Sequence, residues 1–548
     1  MEAIQVSSLE KILKDTDING IDEFKTFSML RNERFAYEIV VNNNSGESKN
    51  VKIEIESNLK DIIDIKRIGY VYVNRVSGME EPGLTDYVIT EKGYVPDALL
   101  PIDNDTLELP PNENTSLLVT VNADKFIADA GEYDIAVKLI AEDEVTEKHF
   151  LLNIIDALLP PQTLTYTDWF HCDAIALMHN VNVFSEKFWD ITEKYMLEAS
   201  RLGVNMILTP IFTPPLDTEI GAERLTVQLV DIEKNGDDYE FEFSKLYRWI
   251  ALAEKCGMKY FEMAHLFTQW GAKFTPKIVV KVNGKEEKLF GWHIEATDER
   301  YEHFLSQFLP ALVNVLKRTG VADRTFFHIS DEPGGEAIEQ YVKCRRIIEK
   351  YVDGLAITDA LSDPDFYERG LITHPVPGTE SVKKFMKFDI KDRWAYYCCA
   401  QCNNLSNRFT AMRGRLTRMI GCQLYKYDIH GFLHWGFNHY FSILSKEPVN
   451  PYEKTEYPMF PTGDAFIVYP YKDGAVGSLR MQQFYDALQD QRALDLLEKL
   501  IGRGATVALI ENEAGVEITF ESYPHSENFI LNWRRKANEK IKEHSKAE

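Results

Sequence analysis

The chain has 548 residues, 45% apolar and 27% charged, the balance of an ordinary globular protein with room for two or three folding units. Its formal charge of −25 argues against nucleic acid as a partner and against binding to anionic membranes, because both would be repelled. No apolar run approaches the roughly 20 residues that span a bilayer. The N-terminus lacks the basic start and apolar core of a signal peptide. Seven cysteines, an odd number with five of them (Cys256, Cys344, Cys398, Cys399 and Cys422) in apolar or helical stretches, fit a reducing compartment, so a cytoplasmic protein is expected.

Up to about residue 158, short alternating runs (35–41, 51–55, 116–121, 133–140, 149–155) are separated by turn residues such as Asn42-Asn-Asn-Ser-Gly46. This spacing predicts an antiparallel β-sandwich. Ala157-Leu-Leu-Pro-Pro161 reads as a linker, since paired prolines continue neither ladder nor helix. Eight unbroken apolar runs then follow, at 164–170, 204–211, 260–265, 325–330, 354–358, 371–375, 394–399 and 431–435. Amphipathic helices are predicted between several of them, over 187–202, 244–256, 299–318, 336–351 and 407–420. Apolar strands alternating with helices indicate a parallel sheet covered on its outer face, and eight of them indicate a (β/α)8 barrel.

Hairpin insertions centred on Asn235-Gly236 and Asn283-Gly284 follow the second and third strands, hence the catalytic mouth. The expected units are a β-sandwich over 1–158, a barrel over 159–505 and an extension over 506–548. That extension, one weak strand and a charged helix, packs on the barrel.

The most informative stretch is Phe326-Phe-His-Ile-Ser-Asp331-Glu332-Pro333-Gly334-Gly335, an apolar strand ending in two acids before a break. Barrel enzymes place their active sites at such strand ends. Neighbouring side chains on a regular strand face opposite ways, so both acids share a pocket only if the strand stops or bulges there. Pro333 predicts an extended Glu332. Acids before a helix N-terminus also occur for purely structural reasons. Ordinary glycosidases flank the scissile bond with carboxyls about 5–9.5 Å apart. Adjacent residues, with Cα atoms about 3.8 Å apart, suit division of labour instead: one acid protonates the leaving oxygen, the other orients a nucleophile of the substrate. A 2-acetamido group supplies such a nucleophile.

The sequence here resembles glycoside hydrolase family 123 and its uncharacterised relatives. The resemblance is carried by Asp168-Trp-Phe-His171-Cys-Asp173, Pro210-Ile-Phe-Thr-Pro-Pro-Leu-Asp217, His328-Ile-Ser-Asp-Glu-Pro333, Phe432-Leu-His-Trp-Gly-Phe-Asn438, Gly463-Asp-Ala-Phe-Ile-Val-Tyr-Pro470 and Tyr94-Val-Pro-Asp-Ala-Leu-Leu-Pro101. It implies a β-sandwich followed by a (β/α)8 barrel, and β-N-acetylgalactosaminidase activity with substrate-assisted retention. Glu332 would then be the general acid/base, and Asp331 would orient the acetamido group. No metal or cofactor is implied, and the partner is a glycan or glycoconjugate ending in a 2-acetamido sugar.

Sugar sites need apolar faces and hydrogen-bonding groups. Trp270, Trp292, Tyr396, Tyr397 and Trp435 lie at or just after predicted strand ends, as do His171, Asp173, His265, Asp359, His374, His434 and Asn438. Each could equally serve the core. Cys398-Cys-Ala-Gln-Cys402 lacks a second ligand pair and reads as packing. Two other readings remain: a glycosidase for a sugar without the acetamido group, pairing Glu332 with a distant carboxylate such as Asp359, and a non-catalytic sugar-binding barrel.

Overall fold

The computed structural model describes the chain apart from residues 79–85, 123–125, 143, 403 and 546–548. The N-terminal region holds two five-stranded sheets. In the first, Glu2–Ser7, Phe35–Asn42, Asn114–Val121, Ile63–Val73 and Gly93–Leu100 lie side by side, all antiparallel. The second runs Thr26–Leu30, Glu144–Ile155, Gly131–Ala141, Lys49–Glu56, Thr106–Leu109. Its first pair is parallel, with Thr26 opposite Leu151, which corrects the expectation of purely antiparallel pairing. Alternate residues of both sheets, among them Tyr37, Ile39, Leu117, Val137, Leu139 and Phe150, share one core.

All eight predicted apolar runs form parallel strands: β1 (Thr165–Asp168), β2 (Met206–Thr209), β3 (Tyr260–Met263), β4 (Thr325–Phe327), β5 (Ala356–Ala360), β6 (His374–Val376), β7 (Arg393–Tyr396) and β8 (Ile429–His434). They are hydrogen-bonded in the order β6-β5-β4-β3-β2-β1-β8-β7. A parallel bridge from Gly378 to Tyr396 spans the remaining gap, so the barrel is nearly closed. Met206, Leu208, Phe326, Trp394 and Leu433 pack together on one face, while Ile207, Phe261, Phe327, Ala395 and Phe432 join the core that includes the helices. This is the two-residue alternation of a strand buried on both faces.

Local signals set the helix ends. Ser185 caps Glu186–Leu202 by accepting from the amide of Phe188, and Gly203 ends it at φ +97°. Asp298 and Gly320 do the same for Glu299–Thr319. The helix predicted over 407–420 instead spans Gly414–Lys426. Residues 407–413 stay irregular because their polar groups are used elsewhere: Asn407 holds the carbonyls of Cys398 and Gln401, and Arg408 reaches Asp168.

The two insertions merge into one four-stranded sheet, joined where Glu233 pairs with Lys281. Asn283 and Gly284 form the second turn, both at positive φ, whereas the first turn is Gly236-Asp237, one residue beyond the expected pair. The weak strand expected after residue 505 is absent among the described residues; helices Arg503–Ala514 and Glu527–Ser545 occupy that region. Buried Arg534 of the last helix bonds to Glu33 of the N-terminal region and Asp490 of helix Leu479–Ile501. Arg480 of that helix pairs with Asp97 at 2.9 Å. No helix of the described residues is long and apolar enough to cross a membrane.

Candidate active site

Strand β4 ends at Phe327, and each of the next five residues is anchored separately. His328 bonds to Glu262 (2.6 Å) and Asp359 (3.1 Å), and the Ile329 amide donates to Asp359 (3.1 Å). Ser330 donates to the carbonyl of Thr268, the Asp331 carbonyl accepts from the Trp270 amide (2.8 Å), and the Glu332 amide donates to the carbonyl of Ala360 (3.1 Å). These tethers hold Glu332 at φ +43°, which corrects the extended conformation predicted from Pro333. A non-glycine residue in this region costs of order 1–3 kcal/mol and persists only where its surroundings impose it.

Asp331 is half-buried and Glu332 is exposed. Burial, then the neighbouring Glu332 charge, raises Asp331 well above the carboxylate range, while His328 opposes the rise. Burial also raises Glu332, opposed by a 2.6 Å hydrogen bond donated by Tyr396 and reinforced by Asp464 and Glu380. Both carboxyls therefore hold a proton to higher pH than a free carboxyl does.

Around this pair, Trp435 donates to Asp464 (3.1 Å). Asp464 reaches that position because Gly463 turns at φ +94°, where a Cβ would meet Thr410 Oγ1 at 2.5 Å. Burial pushes Asp217 up to about 6, although it accepts from the Leu444 amide. Asp217 also contributes to raising Asp331.

The structure distributes the other predicted residues unevenly. Tyr396 contacts Glu332 directly. Trp270 is 47% exposed at φ +56°, one backbone hydrogen bond from Asp331. Trp292 is partly covered and donates to the carbonyl of Ala222, joining the segment after the second insertion to the loop that follows β2. His171, Asp173 and Asn438 form a buried polar knot: Arg224 binds Asp173 through two 2.7 Å bonds and approaches His171 Nδ1 at 3.2 Å. Asn438 accepts from the His171 amide, and burial, then Arg224, lowers the His171 ring to about 4.

His265 is buried with neither ring nitrogen hydrogen-bonded, stacked on His328 at 4.3 Å. Asp359 is fully buried, bonded to His328, Ile329 and Tyr341. His374 begins β6 rather than ending it, which moves it to the opposite end of the barrel, beside Thr325, Ala356 and Thr373. Tyr397 and His434 are core residues.

His265, His328 and Asp359 place one potential ligand atom each within 4.8 Å, the one group of metal-binding type among the described residues. Both nitrogens of His328 are already engaged by carboxylates, which leaves that group a poor ligand set.

Sequence reasoning did not single out Arg224, Glu262 or Asp464 as site residues. Glu262 carries a usable signal, a lone charge inside an apolar strand. Arg224 carries none, since its partner lies 51 residues away.

A nearly closed eight-stranded barrel with a carboxylate pair at a strand end is an arrangement that barrel-type glycosidases use. The model of the glycoside hydrolase 123 catalytic domain matches residues 169–497, more than half of the chain, and the protein therefore belongs to glycoside hydrolase family 123. A family 123 glycoside hydrolase from Clostridium perfringens, studied for glycolipid glycan hydrolysis, has a similar structure at 15% identity and a TM-score of 0.74, over 100% of this chain and 98% of that one. A β-glucuronidase from Parabacteroides merdae overlaps 83% of this chain and 50% of its own, at 10% identity and a TM-score of 0.30. A search of curated proteins found no match.

Proposed function

We propose that the protein removes β-linked N-acetylhexosamine, with GalNAc preferred, by substrate-assisted retention. The observation that carries this reading is the turn at Glu332, at φ +43°, which sets two consecutive carboxyls where the charge of Glu332 raises the pKa of Asp331. Neighbouring residues are badly placed to attack a sugar from opposite faces, but well placed to serve the two ends of one intramolecular attack. In the free site the Tyr396 hydroxyl favours ionised Glu332. An acetamido N–H arriving at Asp331 favours ionised Asp331, whose charge in turn favours protonated Glu332.

The acetamido oxygen then attacks C1 while Glu332 protonates the glycosidic oxygen, and the aglycone leaves. Asp331 holds the N–H of the oxazolinium-like intermediate. Glu332 next takes a proton from water, which adds to C1 and restores the β configuration. Trp270, Trp292, Tyr396 and Trp435 are the sugar-facing aromatics in this reading, and His171, Asp173 and Asn438 shape the pocket through Arg224. The alternative pairing of Glu332 with Asp359 is disfavoured, because the hydrogen bonds of buried Asp359 leave it no access to a sugar.

Residues 1–158 are read as a β-sandwich unit, 159–505 as the barrel and 506–548 as an extension; the core of the sheets also takes in Met419, Leu494, Ile530, Trp533 and Ile541, so the extension packs on the sandwich as well as on the barrel helices. The seven unpaired cysteines agree with a reducing compartment. Glycolipid glycans, the substrate studied for the Clostridium perfringens relative, join free glycans as substrates to test.

A panel of nitrophenyl glycosides with and without the 2-acetamido group, followed by NMR of the product anomer, tests the proposal. Release of β-GalNAc with retention is expected. Comparable hydrolysis of sugars lacking the acetamido group, or an inverted product, overturns it.

A further inference from the structure

Beneath the carboxylate pair, three consecutive barrel strands each contribute one ionisable side chain to a buried chain of hydrogen bonds. Glu262 comes from β3, Asp359 from β5, and His328 from the end of β4 between them. We propose that His328 is a positioning residue for the reaction: clamped between Glu262 and Asp359, it sets the turn that presents Asp331 and Glu332 together. The inference rests on those two residues being the working pair.

Three observations carry it. First, both carboxylates are saturated from several sides. Glu262 also accepts from Thr167 Oγ1 (2.6 Å) and Trp169 Nε1 (2.8 Å), and Asp359 from Tyr341 (2.5 Å), so neither can swing away from the ring. Second, Asp359 holds both the His328 ring and the Ile329 amide, so the residue that orients the ring also fixes the backbone two residues before Asp331. Third, the whole group is excluded from water. A buried ionic network adds little stability that an apolar layer of the same volume would not supply. Directly below a strained catalytic turn, its use is orientation.

The charges agree with the geometry. Burial alone would lower the His328 ring, but Glu262 and Asp359 hold it up to about 10, so it is a cation at working pH. The groups facing it are Glu262, Asp359, Asp331 above, Tyr341 and the stacked ring of His265, which burial keeps neutral.

The test compares wild type with His328→Gln and Asp359→Asn, after circular dichroism confirms folding. Readouts are kcat and KM on the nitrophenyl β-N-acetylgalactosaminide across pH, plus a crystal structure of His328→Gln. His328→Gln should lower kcat about 100-fold, as a small misplacement of reacting groups does, while KM changes less than about threefold. Its acidic limb should move to higher pH, since Asp331 loses a nearby cation. Asp359→Asn removes an anion instead, so its acidic limb should move to lower pH. A merely structural network would leave kcat of the folded variants near wild type and the turn unmoved.

A folded His328→Gln with wild-type kcat and pH profile overturns the proposal. Should His328→Gln not fold, an unshifted profile in Asp359→Asn overturns it. If wild type does not hydrolyse the substrate, the sugar assignment fails separately. The crystal structure then decides, and an unmoved Asp331–Glu332 turn in His328→Gln refutes the positioning role.

Discussion

The Tyr396 hydroxyl, at the end of β7, donates a 2.6 Å hydrogen bond to Oε1 of Glu332, at the end of β4. The bond crosses the barrel mouth between residues 64 positions apart, and it favours the ionised form of the group proposed as general acid. Tyr396→Phe should therefore raise the Glu332 pKa and move the basic limb of the kcat/KM profile to higher pH. A pH–rate series on the nitrophenyl substrate measures this, and a basic limb that stays put or falls contradicts it.

Glu332→Gln removes the proton that the leaving oxygen needs. Activity on a sugar aglycone should fall by about 10²–10⁴, with a smaller loss on a nitrophenyl leaving group that departs without help. Equal losses on both substrates would argue that Glu332 does not protonate the leaving group.

Asp331→Asn should cripple turnover and weaken binding of a thiazoline analogue of the sugar. It should also stabilise the fold. Burial raises the Asp331 pKa, so the native state binds this proton more firmly than the unfolded chain does. Wild-type stability therefore falls as pH rises from the ordinary carboxylate range through the raised pKa. Asparagine bears no such cost, so the variant should melt above wild type in alkaline buffer, with the gap narrowing in acid. Thermal denaturation at several pH values checks the sign.

Arg224 and Asp173 are both 3% exposed and joined by two hydrogen bonds. Arg224→Met leaves Asp173 buried without its counter-charge, at a cost of about 3–5 kcal/mol. Denaturant unfolding should show that loss, whereas the double variant Arg224→Met with Asp173→Leu should recover part of it.

Trp270→Ala should leave stability within about 0.5 kcal/mol, because the ring is 47% exposed. Its effect should appear as a raised KM for glycan substrates and little change on nitrophenyl glycosides. Unchanged KM values on both would remove Trp270 from the proposed set of sugar-facing aromatics.

The barrel was readable because a parallel strand buried on both faces must be apolar throughout, and eight such runs alternating with amphipathic helices have few other solutions. The Asp331–Glu332 pair was readable for a related reason, as two acids closing an apolar run. Failures arose where distant partners overrode local preference. Residues 407–413 have a helical pattern, but Arg408 is drawn to Asp168, 240 positions away. Pro333 favours an extended Glu332, but tethers to Trp270, Ala360 and Asp359 impose φ +43°. His374 was displaced for a smaller reason: β6 begins three residues later than its apolar run suggests.

By itself, then, the sequence determined the eight-stranded barrel, the helices whose caps are local, and the strand end that carries Asp331 and Glu332. These follow from hydrophobic period and turn chemistry, which act within a few residues. Only the tertiary structure decided that Tyr396 bonds to Glu332, that Arg224 locks Asp173, and that Glu262 and Asp359 clamp His328. It also decided that Asp359 faces the core and His374 the far end of the barrel. Such pairings depend on which strand ends become neighbours and how deeply they are buried, and neither property is encoded at any single position along the chain.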